Sequence, residues 1–234
     1  MEKFNIRPAK IAFDDAGFII SAFDSTLAHL EAIGSREMWG STPFSQKDGF
    51  AEETIKDVQT SEAYHSTGQG DALRIFIAEV RVETPEWQSG FETQLRYRVA
   101  DEKGYSHLSV GAAFIREEWI PGHLKSQFEV QGIREELEGK EGFVFLDVVV
   151  TDYRTSHRKG AGKALVQQAV DYGRSKRKKV LYLDAWSGNG RKLVGLRGGL
   201  GQVRCFEWIS ELEPGCEKSI ITGIVSTSTT VGWM

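Results

Sequence analysis

Cysteine, proline and long apolar runs are all scarce in this chain, and each shortage removes a class of answer. Two cysteines, Cys205 and Cys216, occur in 234 residues. Neither has a CxxC partner or a histidine at zinc-finger spacing, so neither a disulfide framework nor a structural zinc site organises the fold. Free thiols in a cytoplasmic protein are the expectation, with a disulfide left open. His29, His65, His107 and His123 fall in no metal-like spacing and read as surface or loop histidines, so no metal is expected. No apolar run approaches the roughly 20 residues that a membrane-spanning helix needs. The opening segment MEKFNIRPAK holds neither a continuous apolar core nor a small-residue cleavage site, so no membrane partner and no signal-directed secretion are expected. An excess of positive charge is also missing. The net charge of −4 argues against phosphate-driven nucleic-acid binding by the protein as a whole and leaves room for a small cationic pocket. The run RSKRKK, residues 174 to 179, reads as a solvated helix end where cations suit the dipole.

With five prolines, no internal repeat and no Pro/Ser-rich tract to serve as a linker, a single domain over residues 1–234 is expected, as a monomer or homodimer. Its elements follow from periodicity. Residues 5–13 suit a first, edge strand, since a proline interrupts them. Asp14 and Asp15 then offer a cap to a helix whose stripe is Ile19, Phe23, Leu27 and Leu30, stopped at Gly34. Residues 35–50 carry turn residues around Trp39 and Phe44 and read as a loop with an anchored tip. A more polar helix follows over 50–66. LRIFIAEVRVE, from Leu73, alternates in the manner of a half-buried strand, and LRYRVADEKG and LSVGAAFIREEW extend it into an antiparallel meander. After a helix-compatible stretch, residues 123–138, FVFLDVVV (143–150) is the most buried-looking strand. A helix over about 162–175, with Leu165, Val166, Ala169, Val170 and Tyr172 on one side, leads to the strand VLYLDAW (180–186), and QVRCFEWI with SIITGIVST suits a last hairpin. The fold class is therefore α/β in the α+β sense: a mixed, largely antiparallel sheet flanked by helices, with one βαβ unit.

The chemistry concentrates between the strand and helix of that unit, in HRKGAGKAL, residues 157 to 165. A helix start leaves backbone N–H groups without partners and carries partial positive charge, so a turn without side-chain bulk can wrap an anion there. Gly160 and Gly162 remove the Cβ atoms that would block approach. Arg158, Lys159 and Lys163 add charge, the first as a planar fork and the last as a mobile point charge. Two common nucleotide loops fail on particular residues. A dinucleotide fingerprint needs glycine where Leu165 stands, and a Walker loop needs Ser or Thr where Ala164 stands. The bland alternative is a tight turn with incidental surface lysines.

The segment VFLDVVVTDYRTSHRKGAGKALVQQAV followed by VLYLDAWSGN resembles the GNAT superfamily of acyl-CoA-dependent N-acyltransferases. In that family a central strand leads to a loop of form Gln/Arg-x-x-Gly-x-Gly/Ala, a helix, and a strand whose end carries an Asn. The matching positions are His157, Gly160, Gly162 and Asn189, over about 50 residues, and His157 stands where Gln or Arg is usual. The resemblance implies a GNAT-like core over about 143–190, with acceptor-side elements over about 14–66. It also implies acetyl-CoA as co-substrate, held by Val148, Val149 and Val150, by His157, Arg158, Lys159, Gly160, Ala161, Gly162, Lys163 and Ala164, and by Asn189. The backbone of the three valines would pair with the pantetheine arm as an added strand. The acceptor would be a small-molecule amine.

The IRPA start and the MWGSTPFS segment are similar to a GNAT subset with a tryptophan-bearing loop near the acceptor, which implies that Trp39 and Phe44 line that pocket; a loop anchor is the alternative. For proton removal Asp147 comes first, as an acid in an otherwise apolar strand, and Asp184 second, with solvent-facing acids or a water chain as alternatives. The tyrosine that many members carry a few residues after the Asn is absent from GRKLVGLRGGLGQ. Either another group or water protonates the leaving thiolate, or the chain binds acyl-CoA without turning it over.

Overall fold

A computed structural model describes residues 3–83, 95–99, 105–126, 134–135, 137–186, 202–213 and 216–228, with backbone alone for 99, 185–186 and 202–228. The architecture is mixed α/β. Strands β1 (Asn5–Pro8), β2 (Leu73–Glu83), β3 (Tyr97–Val99), β4 (Tyr105–Glu117), β5 (Phe143–Thr151), β6 (Val180–Trp186), β7 (Gln202–Glu213) and β8 (Cys216–Ser228) are joined in the order β1-β2-β4-β5-β6-β7-β8, with β3 on β4. Helices α1 (Asp15–Ala32), α2 (Phe50–Thr67), α3 (Gly122–Lys125) and α4 (Ala161–Ser175) connect them. The pairs β1–β2, β3–β4 and β7–β8 are antiparallel, while β5–β6 and β6–β7 are parallel. Backbone packing divides the chain into two compact units. One comprises Met1–His29, Ser41–Phe114 and Val148–Val166, and the other Leu30–Gly40, Ile115–Asp147 and Gln167–Met234.

In the first unit β1 is an edge strand, as its proline requires, and Pro8 ends it opposite Phe76. The chain then leaves the strand for a 3-10 turn at Ile11–Phe13 rather than continuing as β1 to residue 13. Helix α1 buries Phe18, Ile19, Ala22 and Phe23, a stripe at helical spacing. Helix α2 is polar, yet it turns Thr54, Val58 and Ser61 inward, and Ser61 Oγ accepts from Ile75 N at 2.8 Å to tie it to β2. Strand β2 departs from the alternation read in its sequence. Leu73 to Val80 are all buried, so this stretch is covered on both faces and its polar residues, Arg74 and Glu79, lie inside.

The second unit is built on an aromatic cluster. Leu124, Leu137, Phe143, Phe145 and Tyr182 are buried together, with Trp119, Ile120 and Val180 packed against them. Each such side chain contributes about 1.5–3 kcal/mol by leaving water. Of the helix-compatible stretch 123–138, a four-residue α3 forms and residues 134, 135 and 137 are helical, the others lying outside the described residues. Strands β7 and β8 pair from Gln202↔Ser228 to Glu213↔Cys216, the hairpin that the sequence pattern predicts.

Candidate functional site

The β5–α4 turn is assembled from the inside. Asp152 is fully buried at the end of β5, and Arg154 clasps its carboxylate through Nε at 2.8 Å and a terminal nitrogen at 2.7 Å, while the Arg154 amide donates to the same acid at 3.0 Å. Three donors on one buried acid fix the direction in which the chain leaves the sheet. Thr155 then caps a 3-10 turn, Ser156–Arg158, by accepting from the His157 amide at 3.2 Å. The Tyr153 amide donates to Ser25 Oγ at 2.9 Å. Its ring stacks on His29 with centroids 4.2 Å apart, and the Arg158 guanidinium lies 3.6 Å from the ring centroid. Burial and the charge of Arg158 together hold the His29 imidazole below its usual value.

Gly160 closes the turn at φ +94°, a backbone region that side chains other than glycine rarely enter. Phe4 lies where its Cβ would point, at 3.4 Å, and Lys3 Nζ donates to Lys159 O at 2.5 Å. Helix α4 starts at the next residue, and the first of its amides to find a backbone acceptor is that of Ala164, which donates to Gly160 O at 3.1 Å. Glycine has no side chain with which to cap the amides ahead of it, those of Ala161, Gly162 and Lys163. Among the described residues a Cβ on Gly162 would meet only Thr151 and Val149, at 3.9 Å, so their packing does not demand glycine there. Lys159 and Lys163 are exposed, and so is His157. A bulk-free helix start whose first three amides meet no acceptor among the described residues, with cations beside it, is chemically suited to an anion. The residues expected to hold a diphosphate are thus gathered on one turn. Arg158 differs in detail, since the flat face of its guanidinium is committed to Tyr153.

Strand β5 enters that turn through Val148, Val149 and Val150. On one side it pairs with β4, where the Asp152 amide donates to Val110 O at 3.0 Å. A Cβ on Gly111 would fall 3.0 Å from Val150 O and 3.1 Å from Leu165 Cδ1, so glycine lets α4 close onto the sheet here. The parallel ladder of β5 with β6 runs from Phe143↔Val180 to Leu146↔Leu183, and β5 continues beyond it to Thr151.

Asp147 and Asp184 each stand one residue past the end of that ladder, in the second unit. Side chains alternate along strands, so both continue the face that carries Phe143, Phe145, Val180 and Tyr182. Asp147 accepts from Arg116 Nε at 3.0 Å, and the Arg116 guanidinium lies 4.8 Å from the Trp119 ring centroid. The sequence presents Asp147 as an isolated acid in an apolar strand, and the fold gives it a counter-charge. Asp184 is 3.1 Å from His123 Nε2. His123 is therefore a functional candidate that sequence spacing missed, since the two residues lie 61 positions apart.

The remaining expectations separate. Phe44 is buried, with its ring 4.7 Å from Phe23 and 4.9 Å from Phe50, an anchor for the loop that bears it. Trp39 is half-buried at the end of the 3-10 turn Arg36–Met38. Asn189 lies outside the described residues. Neither His107 nor His123 is on a loop: the first is in β4 and the second in α3. Among the described residues no group of His, Cys, Asp and Glu could hold a metal ion, and no helix is long and apolar enough to cross a membrane.

No protein-family profile matches the chain, and no curated protein sequence does. Among solved structures it is similar to a protein from Desulfovibrio desulfuricans subsp. assigned as an acetyltransferase of the GNAT family, with 13% identity and a TM-score of 0.37 over 90% of this chain and 75% of that one. Likeness at this level does not distinguish one mixed α/β sheet from another, so it adds nothing to what the residues themselves carry.

Proposed function

We propose that this protein is an N-acetyltransferase of GNAT type, moving an acetyl group from acetyl-CoA to the amine of a small molecule by direct attack. The observation that carries the reading is the α4 start: a glycine at φ +94° followed by amides at Ala161, Gly162 and Lys163 that meet no acceptor among the described residues, with exposed lysines on both sides. These groups would hold the diphosphate of CoA, with His157, Lys159 and Ala164 completing the turn and the edge of Arg158 turned to a phosphate oxygen. The main chain of Val148–Val150 would align the pantetheine arm as an added strand, and an amide there would polarise the thioester carbonyl. Asn189 would meet the same arm. Bound acetyl-CoA supplies an activated acetyl group, and the protein supplies positioning, an oxyanion donor and a route for protons. Trp39 and Phe44 would line the acceptor pocket, with the Phe44 ring also packed on Phe23 and Phe50.

A cytoplasmic enzyme without a metal or a nucleic-acid partner fits this chemistry. The test is thermal unfolding with CoA, dephospho-CoA and inorganic pyrophosphate, followed by thiol release from acetyl-CoA across an amine panel. CoA is expected to raise Tm more than pyrophosphate does. Equal shifts, or none, would exclude a CoA site. Stabilisation by CoA without turnover of any amine selects the second reading, an acyl-CoA-binding or sensing domain, which the missing tyrosine after Asn189 favours.

A further inference from the structure

We propose that His65 is a proton-operated latch, which holds the last turn of α2 against β2 while its ring is neutral and lets that turn open when the ring is protonated. The His65 Nδ1 atom lies 2.8 Å from a terminal nitrogen of the Arg74 guanidinium. A guanidinium only donates and keeps its proton in proteins, so Nδ1 carries the lone pair and the proton of the neutral ring sits on Nε2. A second proton on the ring turns this acceptor into a donor facing a donor, and sets two positive charges at hydrogen-bonding distance.

The two partners differ in their surroundings. Arg74 is 8% exposed in β2, with its guanidinium 5.2 Å from the Phe76 ring centroid, so it is fixed with the strand. His65 is exposed, so solvent protons reach the ring without any prior opening. The charges that act on the ring from the elements packed against it, Arg74 of β2 and Lys10 of the segment that leaves β1, are both positive. On its own helix Glu62 is turned to the Ile11 amide, from which it accepts at 3.3 Å. Partial desolvation, with the charges of Arg74 and Lys10 added, holds the imidazole below its ordinary value. The fold thus favours the neutral ring, and stability owed to the latch is present above the unfolded value, about 6.5, and declines as pH falls from there through the folded one.

A second tie separates the end of the helix from its middle. Ser61, one turn earlier, accepts from the Ile75 amide through its hydroxyl at 2.8 Å, a bond without a titrating group. Beyond His65 the helix closes on itself: Gly68, at φ +66°, donates to Tyr64 O at 2.9 Å, and the Gln69 amide donates to Thr67 Oγ1 at 3.1 Å. Those bonds are internal to the turn, whereas the contact of His65 with Arg74 joins it to the sheet. No residue of the glycine turn takes part, so the latch stands whether or not the chain binds CoA.

The test is residue-resolved NMR of the full chain between about pH 5 and 8, the range in which a histidine changes charge. Ring-nitrogen shifts give the tautomer and the titration, and amide exchange, corrected for its intrinsic pH dependence, gives the opening of the turn. At the upper end the neutral ring is expected to carry its proton on Nε2. As the ring protonates, exchange at Ser66 to Gln69 should rise about three- to tenfold, the worth of one hydrogen bond, while the Ile75 amide stays protected. His65→Gln offers a side-chain oxygen to Arg74 and does not titrate, so it should keep the turn protected and lose the pH dependence. His65→Lys places a fixed cation there and should hold the turn at its acid level across the range. A neutral ring protonated on Nδ1, exchange at Ser66 to Gln69 that is the same on both sides of the titration, or a rise shared equally by Ile75 overturns the proposal. So does a His65→Gln variant with the wild-type pH dependence.

Discussion

Two histidine–carboxylate encounters in this protein are alike in chemistry and opposite in setting. In the first unit His107 Nδ1 approaches Glu79 at 3.7 Å, beyond hydrogen-bonding distance. In the second, His123 Nε2 meets Asp184 at 3.1 Å. The difference lies in what else the acid holds. Glu79 is fully buried and takes Asn5 Nδ2 at 3.2 Å, Arg7 Nε at 2.6 Å, and Arg98 at 3.2 and 2.8 Å, which fills the roughly four acceptor positions of a carboxylate. Arg7 also forks onto buried Asp15 at 2.6 and 2.8 Å. An acid saturated by arginines has no capacity left to orient an imidazole, and it serves as a pin between β1, β2, β3 and α1. Asp184 takes the imidazole, with no other partner among the described residues, and serves the ring.

The largest effect that separates the two is on stability. Arg7→Met leaves two buried carboxylates short of their counter-charge and is expected to cost about 3–5 kcal/mol, read by denaturant unfolding. His123→Gln, at a half-exposed site, should cost less than about 1 kcal/mol. Comparable losses in both variants would erase the distinction drawn here.

Acid should expose the same pin. Burial would raise the Glu79 carboxyl, but hydrogen bonds and charge from Arg98 and Arg7 outweigh it and hold the group below its ordinary value. A depressed folded value means stability that is present above the unfolded value, about 4.5, and lost as pH falls through the folded one. Unfolding free energy measured downward from about pH 5 should therefore fall, and Glu79→Gln should flatten that slope. A wild type and a Glu79→Gln variant with parallel acid limbs would remove Glu79 from the account.

A smaller effect separates fold from ligand within the glycine turn. Gly160→Ala forces a side chain into φ +94° and toward Phe4, at an expected cost of about 1–3 kcal/mol. Gly162→Ala adds a methyl at ordinary contact distance, 3.9 Å from Thr151 and Val149, and gains helix propensity of up to about 1 kcal/mol. It should leave Tm unchanged or higher while weakening CoA binding at least about fivefold by isothermal titration. Undiminished CoA affinity in Gly162→Ala would show that the ligand does not approach this backbone.

The same contrast explains which features the sequence made legible. The order of strands and helices was readable because periods of 2 and 3.6 are local, and the α4 stripe of Leu165, Val166, Ala169, Val170 and Tyr172 is buried as read. The glycine turn was readable because its chemistry sits in consecutive residues. Glu79 was not, because alternation in β2 suggests one wet face, while the fold covers both. Its partner Arg7 lies 72 residues away and His123 lies 61 from Asp184, separations at which no spacing rule operates. Phe44 is equally readable as wall or anchor, and its contacts with Phe23 and Phe50 are ones that no local pattern reveals.

The smallest expected signal is spectroscopic and comes from His29, which shares the Tyr153 ring with Arg158. Burial is the main reason its imidazole titrates below the ordinary 6.5, with the Arg158 charge adding to it. The neutral ring is therefore favoured in the fold. As pH falls through about 6.5 the unfolded chain binds the proton first, and stability declines until the folded ring also protonates. Arg158→Gln should move the His29 titration, followed by NMR, part of the way back toward 6.5. CoA bound at the α4 start should move it in the same direction, because diphosphate charge offsets the guanidinium. The saturated acid of the first unit should be indifferent to that ligand, so the acid limb of unfolding that Glu79 controls should be the same with and without CoA after subtracting the binding free energy. A His29 titration unmoved by saturating CoA would place the diphosphate away from Arg158, leaving the amides of Ala161 to Lys163 to hold it without the stacked guanidinium.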